Sequence, residues 1–180
     1  MNELERRSIL RFELLGTLLI IILGSALHFT FELSYKNPAV GVFSAVNESV
    51  WEHLKLGFWP ALIHAIIEYK ILKRPASSFF PAKALGIYLM PLVIASSFYL
   101  YTAFLEENLV LDILIFIFAV IIGQSVSCKL LTRNKKPMVY AGISITALIL
   151  LALSLIIFTF YPPHLPIFQD PFGGGYGIPK

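Results

Sequence analysis

Three stretches of the sequence, residues 85–105, 109–131 and 138–161, are long, rich in Leu, Ile and Phe, and almost free of charge. A helix needs roughly 20 mostly apolar residues to cross the hydrocarbon core of a bilayer. Inside a soluble domain of 180 residues such runs would find no core large enough to receive them, because a chain of that size still exposes much of its surface. Residues 14–31, which follow a basic segment, and residues 51–72 are also long enough, so five spans are expected. The second is the weakest, since it contains Glu52, His53, Lys55, His64 and Glu68. Composition agrees with a membrane solvent: hydrophobic residues make up 57% and charged residues 14%, against roughly 45–50% and about 25% in soluble proteins. Disorder and coiled coils are excluded, and the lone Cys128 excludes a disulfide scaffold. The net charge of +3 comes with no dense basic run, so no nucleic-acid partner is implied.

Lys and Arg concentrate on the cytoplasmic side of membrane proteins. Arg6, Arg7 and Arg11 precede the first span. Lys70, Lys73, Arg74 and Lys83 follow the second, and Lys129, Arg133, Lys135 and Lys136 follow the fourth. The alternate segments hold only Lys36 and Lys180, and the outer side gathers Glu32, Glu48, Glu52, Glu106, Glu107, Asp112 and Asp170. This predicts an all-α bundle of five transmembrane helices, with the N-terminus cytoplasmic and the C-terminus outside. Residues 1–161 form the membrane domain and 162–180 a Pro/Gly-rich outer tail, whose Leu165, Ile167 and Phe168 favour docking. Gly24-Ser25-Ala26 resembles a signal-cleavage site, but the apolar run continues through Phe31 and Glu13 is foreign to a signal peptide, so the first span is read as retained. Pro60 and Pro91 fall inside spans and are expected to kink them, while Pro75, Pro81 and Pro137 punctuate cytoplasmic loops.

Ionisable groups in or beside a span are costly unless paired or wetted, and so are site candidates. The topology gathers His28, Glu32, Glu48, Glu52, His53, Lys55, His164 and Asp170 at the outer face. His28 and Glu32 are spaced i,i+4. His28, Glu32, Glu52, His53 and His164 are the candidate ligands for a divalent metal such as zinc, whose bound water would become a nucleophile. Lys55 would suit an anionic substrate group. The structural alternative is that Ser49-Val50-Trp51-Glu52 is a capping box, with Glu52 reaching back to the cap amide and pairing with Lys55 at i,i+3. His64 and Glu68 form an inner i,i+4 pair, read either as part of a proton path or as a buried His beside a Glu paired with a cytoplasmic cation. Glu13 could pair with Arg11 or a neighbouring helix. Gln124, Ser125, Ser127 and Cys128 polarise one half of the fourth span, a pattern of interhelical hydrogen bonding. No zincin, nucleophile-elbow, Walker or dinucleotide motif occurs.

Asn47-Glu48-Ser49-x-Trp51-Glu52-His53-x-Lys55, preceded by His28 and Glu32, combines with Pro163-His164-x-Pro166-x-Phe168-x-Asp170 and Tyr176-Gly177-Ile178. Together these resemble an uncharacterised family of small polytopic bacterial membrane proteins. The resemblance covers essentially the whole chain and implies a bacterial inner membrane. It transfers no activity and no catalytic residue.

Three functions follow as alternatives: a small transport-related membrane component, a membrane-embedded metal-dependent hydrolase with its site at the outer face, and a structural or accessory subunit. The first is preferred, and structural use of the polar cluster outweighs catalytic use. The bilayer is the implied partner, with a second membrane protein or a second copy of the chain beside it.

Overall fold

The computed structural model describes residues 3–73, 75–133 and 140–179. Arg74, Lys135, Lys136 and Lys180 from the charge pattern, Pro137, and the expected start of the fifth span at Met138 lie outside the described residues. Among those described, the chain is all-α: α1 (Glu3–Leu33), α2 (Pro38–Gly41), α3 (Val50–Leu72), α4 (Ala76–Thr102), α5 (Leu109–Thr132) and α6 (Ala141–Phe160), followed by a single 3-10 turn at Pro166–Phe168. Helices α1, α4, α5 and α6 are long and apolar enough to cross a membrane, and mark a membrane protein. Helix α3 has 23 residues but carries too many charges to qualify by composition.

Helices α1, α3, α4 and α5 pack in a closed ring, each against the next, and α6 lies outside it against α4 and α3. The α4–α5 contact is the tightest because glycines meet there: a Cβ on Gly86 would lie 2.6 Å from the Gly123 carbonyl oxygen, and one on Gly123 would lie 2.5 Å from that of Gly86. In lipid, small residues let helix backbones approach in this way. Helix α3 is the most deeply buried of the set, with Phe58, Trp59 and Ala61 in its middle meeting Ile20, Ile87 and Met90. Ile63, Ile66, Ile67 and Ile71 are left exposed as one apolar stripe on its far side.

Two helices start earlier than hydropathy predicts. Helix α1 begins at Glu3, where Arg7 pairs with Glu3 at 3.3 Å, so the basic segment is helical. Helix α4 begins at Ala76, which places Pro81 and Lys83 inside a helix instead of in a loop. There Phe79, Ala82, Ile9 and Leu131 form a second, smaller core. Pro60 and Pro91 lie inside α3 and α4, which run on through both.

At the opposite end of the bundle the segment between α1 and α3 folds back into the helices. The Ser44 hydroxyl accepts the Phe31 N–H at 3.0 Å and donates to the Leu27 carbonyl, so it enters the backbone ladder of α1. One stripe of α3 holds the rest: Glu52 accepts the Val46 N–H, Lys55 donates to the Gly41 carbonyl and the Trp59 indole donates to the Val42 carbonyl. The tail docks at this same end. Phe168 is buried against Trp51 and Phe158, and the Asn47 amide donates to the Gly177 carbonyl at 2.8 Å.

Candidate functional site

Ser49 caps α3 through its hydroxyl, which accepts the Glu52 N–H. The reciprocal half of the expected capping box is absent. The Ser49 N–H goes to the Asn47 side-chain oxygen at 2.9 Å, and Glu52 turns inward. There its two oxygens accept from the Val46 N–H and the Thr159 hydroxyl, both at 3.0 Å, and pair with Lys55 at 2.5 Å. The three ammonium protons of Lys55 are taken by Glu52, Thr159 and the Gly41 carbonyl. A neutral buried pair with every donor used is a structural lock joining α3, α6 and the folded-back segment. Its polar groups are already committed.

Beside this lock, on the exposed side, the structure brings together His28 of α1, His53 of α3 and Glu48 of the segment just before the α3 cap. One ligand atom from each lies within 4.8 Å of the others. His53 Nε2 is 3.4 Å and His28 Nε2 3.9 Å from Glu48 Oε2, and the two rings stack at 5.2 Å in a tilted pair. His53 Nδ1 lies 2.9 Å from the Ser49 carbonyl oxygen, which can only accept. That contact places a proton on Nδ1, and Nε2 faces the Glu48 carboxylate. A proton on Nε2 bonds the two groups directly, and a metal ion in that proton's place would be ligated by both. A carbonyl behind a ligating imidazole is also the usual way a metal site orients its histidine. Ligand atoms around tetrahedral zinc sit about 3.3 Å from one another, so the His53–Glu48 separation already fits. Small rotations of His28 and of the half-exposed Glu48 close the remainder. His28 Nδ1 is buried and has no hydrogen-bond partner among the described residues. The surroundings are acidic, with Asp112 and Glu107 in electrostatic reach of the cluster and Asp170 in reach of Glu107. The hydrogen bond from His53 holds the Glu48 carboxyl below its ordinary range, despite the opposing effect of burial. Partial burial, reinforced by the Asp112 charge, pushes Glu107 up.

The other expected members lie elsewhere. Glu32 points to Lys36 at 3.8 Å on an exposed surface, and Glu52 is held in the lock with Lys55. His164 stacks edge-on against Tyr176 at 4.7 Å, and Asp170 accepts the Phe172 N–H within the tail. Glu48, left out of the expected ligand set, is the carboxylate that joins the two imidazoles.

His64 and Glu68 lie at the other end of α3, in a second buried cluster. Lys83 of α4 reaches Glu13 of α1 at 2.8 Å and also pairs with Glu68. The Ser127 hydroxyl of α5 donates to Glu13 at 2.8 Å, and His64 Nδ1 is 3.8 Å from Glu68. The His64 ring lies directly over Gly16 of α1, where no side chain would fit. Glu68 is therefore paired with a buried lysine of another helix. Sequence reasoning assigned Lys83 to a basic loop and left Glu13 without a firm partner. The available signal was one isolated acid and one isolated base, each embedded in an apolar run.

Residues 1–178 match the family model of DUF6512, a family of unknown function. The chain belongs to this family. No curated protein and no solved structure matches it. For DUF6512 the residues themselves are therefore the source of any functional reading, and among the described residues the His28–Glu48–His53 cluster is the group whose spacing could hold a metal ion.

Proposed function

We propose that this DUF6512 protein is a five-span, multi-pass protein of the bacterial cytoplasmic membrane, with its N-terminus inside and its tail outside. In this reading it captures a divalent cation such as zinc at its outer face, as a small transport-related component. The observation that carries the proposal is the geometry of the cluster: His53 Nδ1 is committed to the Ser49 carbonyl, and its Nε2 faces Glu48 with His28 alongside, one ligand atom of each within 4.8 Å of the others. The acidic surroundings concentrate cations there.

The crossing of α3 is supported by how its charges are matched. Glu52 pairs with Lys55 and Glu68 with Lys83, all buried, so the helix presents its isoleucine stripe to lipid and not its charges. At 1.5 Å per residue its length is about 34 Å, enough for the hydrocarbon core. The distribution of Lys and Arg supports the orientation.

The test is elemental analysis of the chain purified in detergent, loaded with zinc and desalted. The expected result is about one zinc per chain, as for a site with three protein ligands, with loss in His28→Ala and in His53→Ala. Wild-type protein that retains no stoichiometric metal sinks the proposal.

A second reading is favoured by one observation. Two imidazoles and a carboxylate leave a fourth position for water, and Glu107 nearby has a raised carboxyl suited to proton transfer. Metal-dependent hydrolysis of an ester or amide that is abolished in Glu107→Gln while zinc is retained would select the hydrolase.

A further inference from the structure

The buried cluster at the N-terminal end of the bundle does not balance. Glu13 and Glu68 are two carboxyls, and among the described residues Lys83 is the one ammonium within contact of them. All three are buried, with side chains at most 4% exposed. Two carboxylates and one ammonium leave a net negative charge in a region where an unpaired charge is expensive. Like charges sharing a site are relieved when one of them takes a proton.

The geometry locates that proton. The His64 ring is hydrogen-bonded to the Phe12 backbone carbonyl, which needs an N–H on the ring. Nδ1 has no hydrogen-bond partner among the described residues and faces Glu68 at 3.8 Å. Nδ1 then carries a lone pair directed at a carboxyl. A proton on either group removes both the repulsion and the excess charge. The cluster is also reachable. A groove of about 410 Å³ between α1 and α5 is lined by Glu13, Thr17, Gln124, Ser125 and Cys128, with Lys129 on its wall. Glu13 Oε2 and Gln124 Nε2 are buried polar atoms with no partner among the described residues, and Glu13, which lines the groove together with Leu10 and Leu14, links it to Lys83. The groups facing the proton site are Glu13 from α1, His64 and Glu68 from α3, Lys83 from α4, and Gln124 and Ser127 from α5. The charges of Arg6 and Lys83 both reach Cys128 in the groove.

We propose that Glu13, His64, Glu68 and Lys83 form a proton-binding site that holds one exchangeable proton between His64 and Glu68 and communicates with the N-terminal side of the membrane through the α1–α5 groove. It shares no residue with the His28–Glu48–His53 centre, so it stands whether or not that centre binds metal.

Infrared difference spectra of the full chain in lipid nanodiscs, titrated with pH, test this directly. The wild type is expected to show a carboxylic-acid C=O band that weakens about five-fold over the first pH unit above its midpoint. Glu68→Gln should lose the band, Glu107→Gln should keep it, and His64→Gln should shift its midpoint. Absence of a carboxylic-acid band from the wild type overturns the proposal, as does its persistence in Glu68→Gln or its loss in Glu107→Gln. Should Glu68→Gln fail to fold, wild-type protein in native membranes is treated with dicyclohexylcarbodiimide, which adds to un-ionised carboxyls from the lipid phase. Adduct on Glu68, diminishing as pH rises, supports the site, and its absence from Glu68 overturns it.

Discussion

Lys83 Nζ lies 2.8 Å from Glu13 Oε1, joining α4 to α1 through side chains that are 2% and 4% exposed. Neither charge could be tolerated there alone. The same ammonium also serves Glu68, so one lysine ties three helices of the ring, and Ser127 adds the fourth through Glu13.

Removing the shared cation should therefore cost more than removing either acid. Lys83→Met leaves two buried carboxyls facing each other and is expected to destabilise the fold by about 3–5 kcal/mol. Glu13→Gln keeps Glu68 paired with Lys83 and keeps an amide oxygen for Lys83 and Ser127, so about 1–2 kcal/mol is expected. Chemical unfolding in detergent measures both. Equal costs would contradict the shared-cation arrangement.

Metal binding should be lost on mild acidification. Protons compete with the metal for His28 and His53, whose ordinary range centres near 6.5, so affinity should fall as pH drops through about that value. Glu48 does not set this limit. Its carboxyl is held low by the hydrogen bond from His53, so it stays ionised through the imidazole range. Its contribution to stability is present above the ordinary carboxyl range and is lost only as pH falls through its own depressed value. Zinc titrations followed calorimetrically from pH 7.5 to 5.5 check the order of events. Glu48→Gln should weaken binding at least about tenfold at every pH in that interval, and a release midpoint near 4 would assign the loss to the carboxylate instead.

The proposed five-span topology predicts that Cys128 and the tail lie on opposite sides of the membrane. Cys128 lines the groove, and Phe172 is 78% exposed in the tail. In right-side-out vesicles a membrane-impermeant maleimide should label a Cys128→Ser, Phe172→Cys chain and leave the native Cys128 unreacted. Comparable labelling of both would mean an even number of crossings between Cys128 and the tail, and the topology would fall.

Much of the fold was visible as hydropathy. The bounds of α3 and α5 match the expected spans within a residue or so, and each start is fixed by a side-chain cap, Ser49 and Asn108. The starts of α1 and α4 were missed for one reason. Hydropathy ends a span at its first charges, but Arg7 and Lys83 are neutralised by Glu3 and by the Glu13–Glu68 pair, so each helix continues past them.

The candidate site divided along a similar line. Residues within one helix could be related by spacing, and the Glu52–Lys55 contact at i,i+3 and the His64–Glu68 approach at i,i+4 follow from the period of the α-helix. The sequence alone determined that long apolar helices would form, because lipid leaves a backbone no other way to satisfy its hydrogen bonds. It also determined which polar residues would be too costly to leave unpaired. Only the tertiary structure decided the pairing. Glu48 rather than Glu32 joined His28 and His53, and Lys83 left its expected loop for Glu13, because contacts between helices depend on depth and rotation in the bundle, which no spacing along a single chain records.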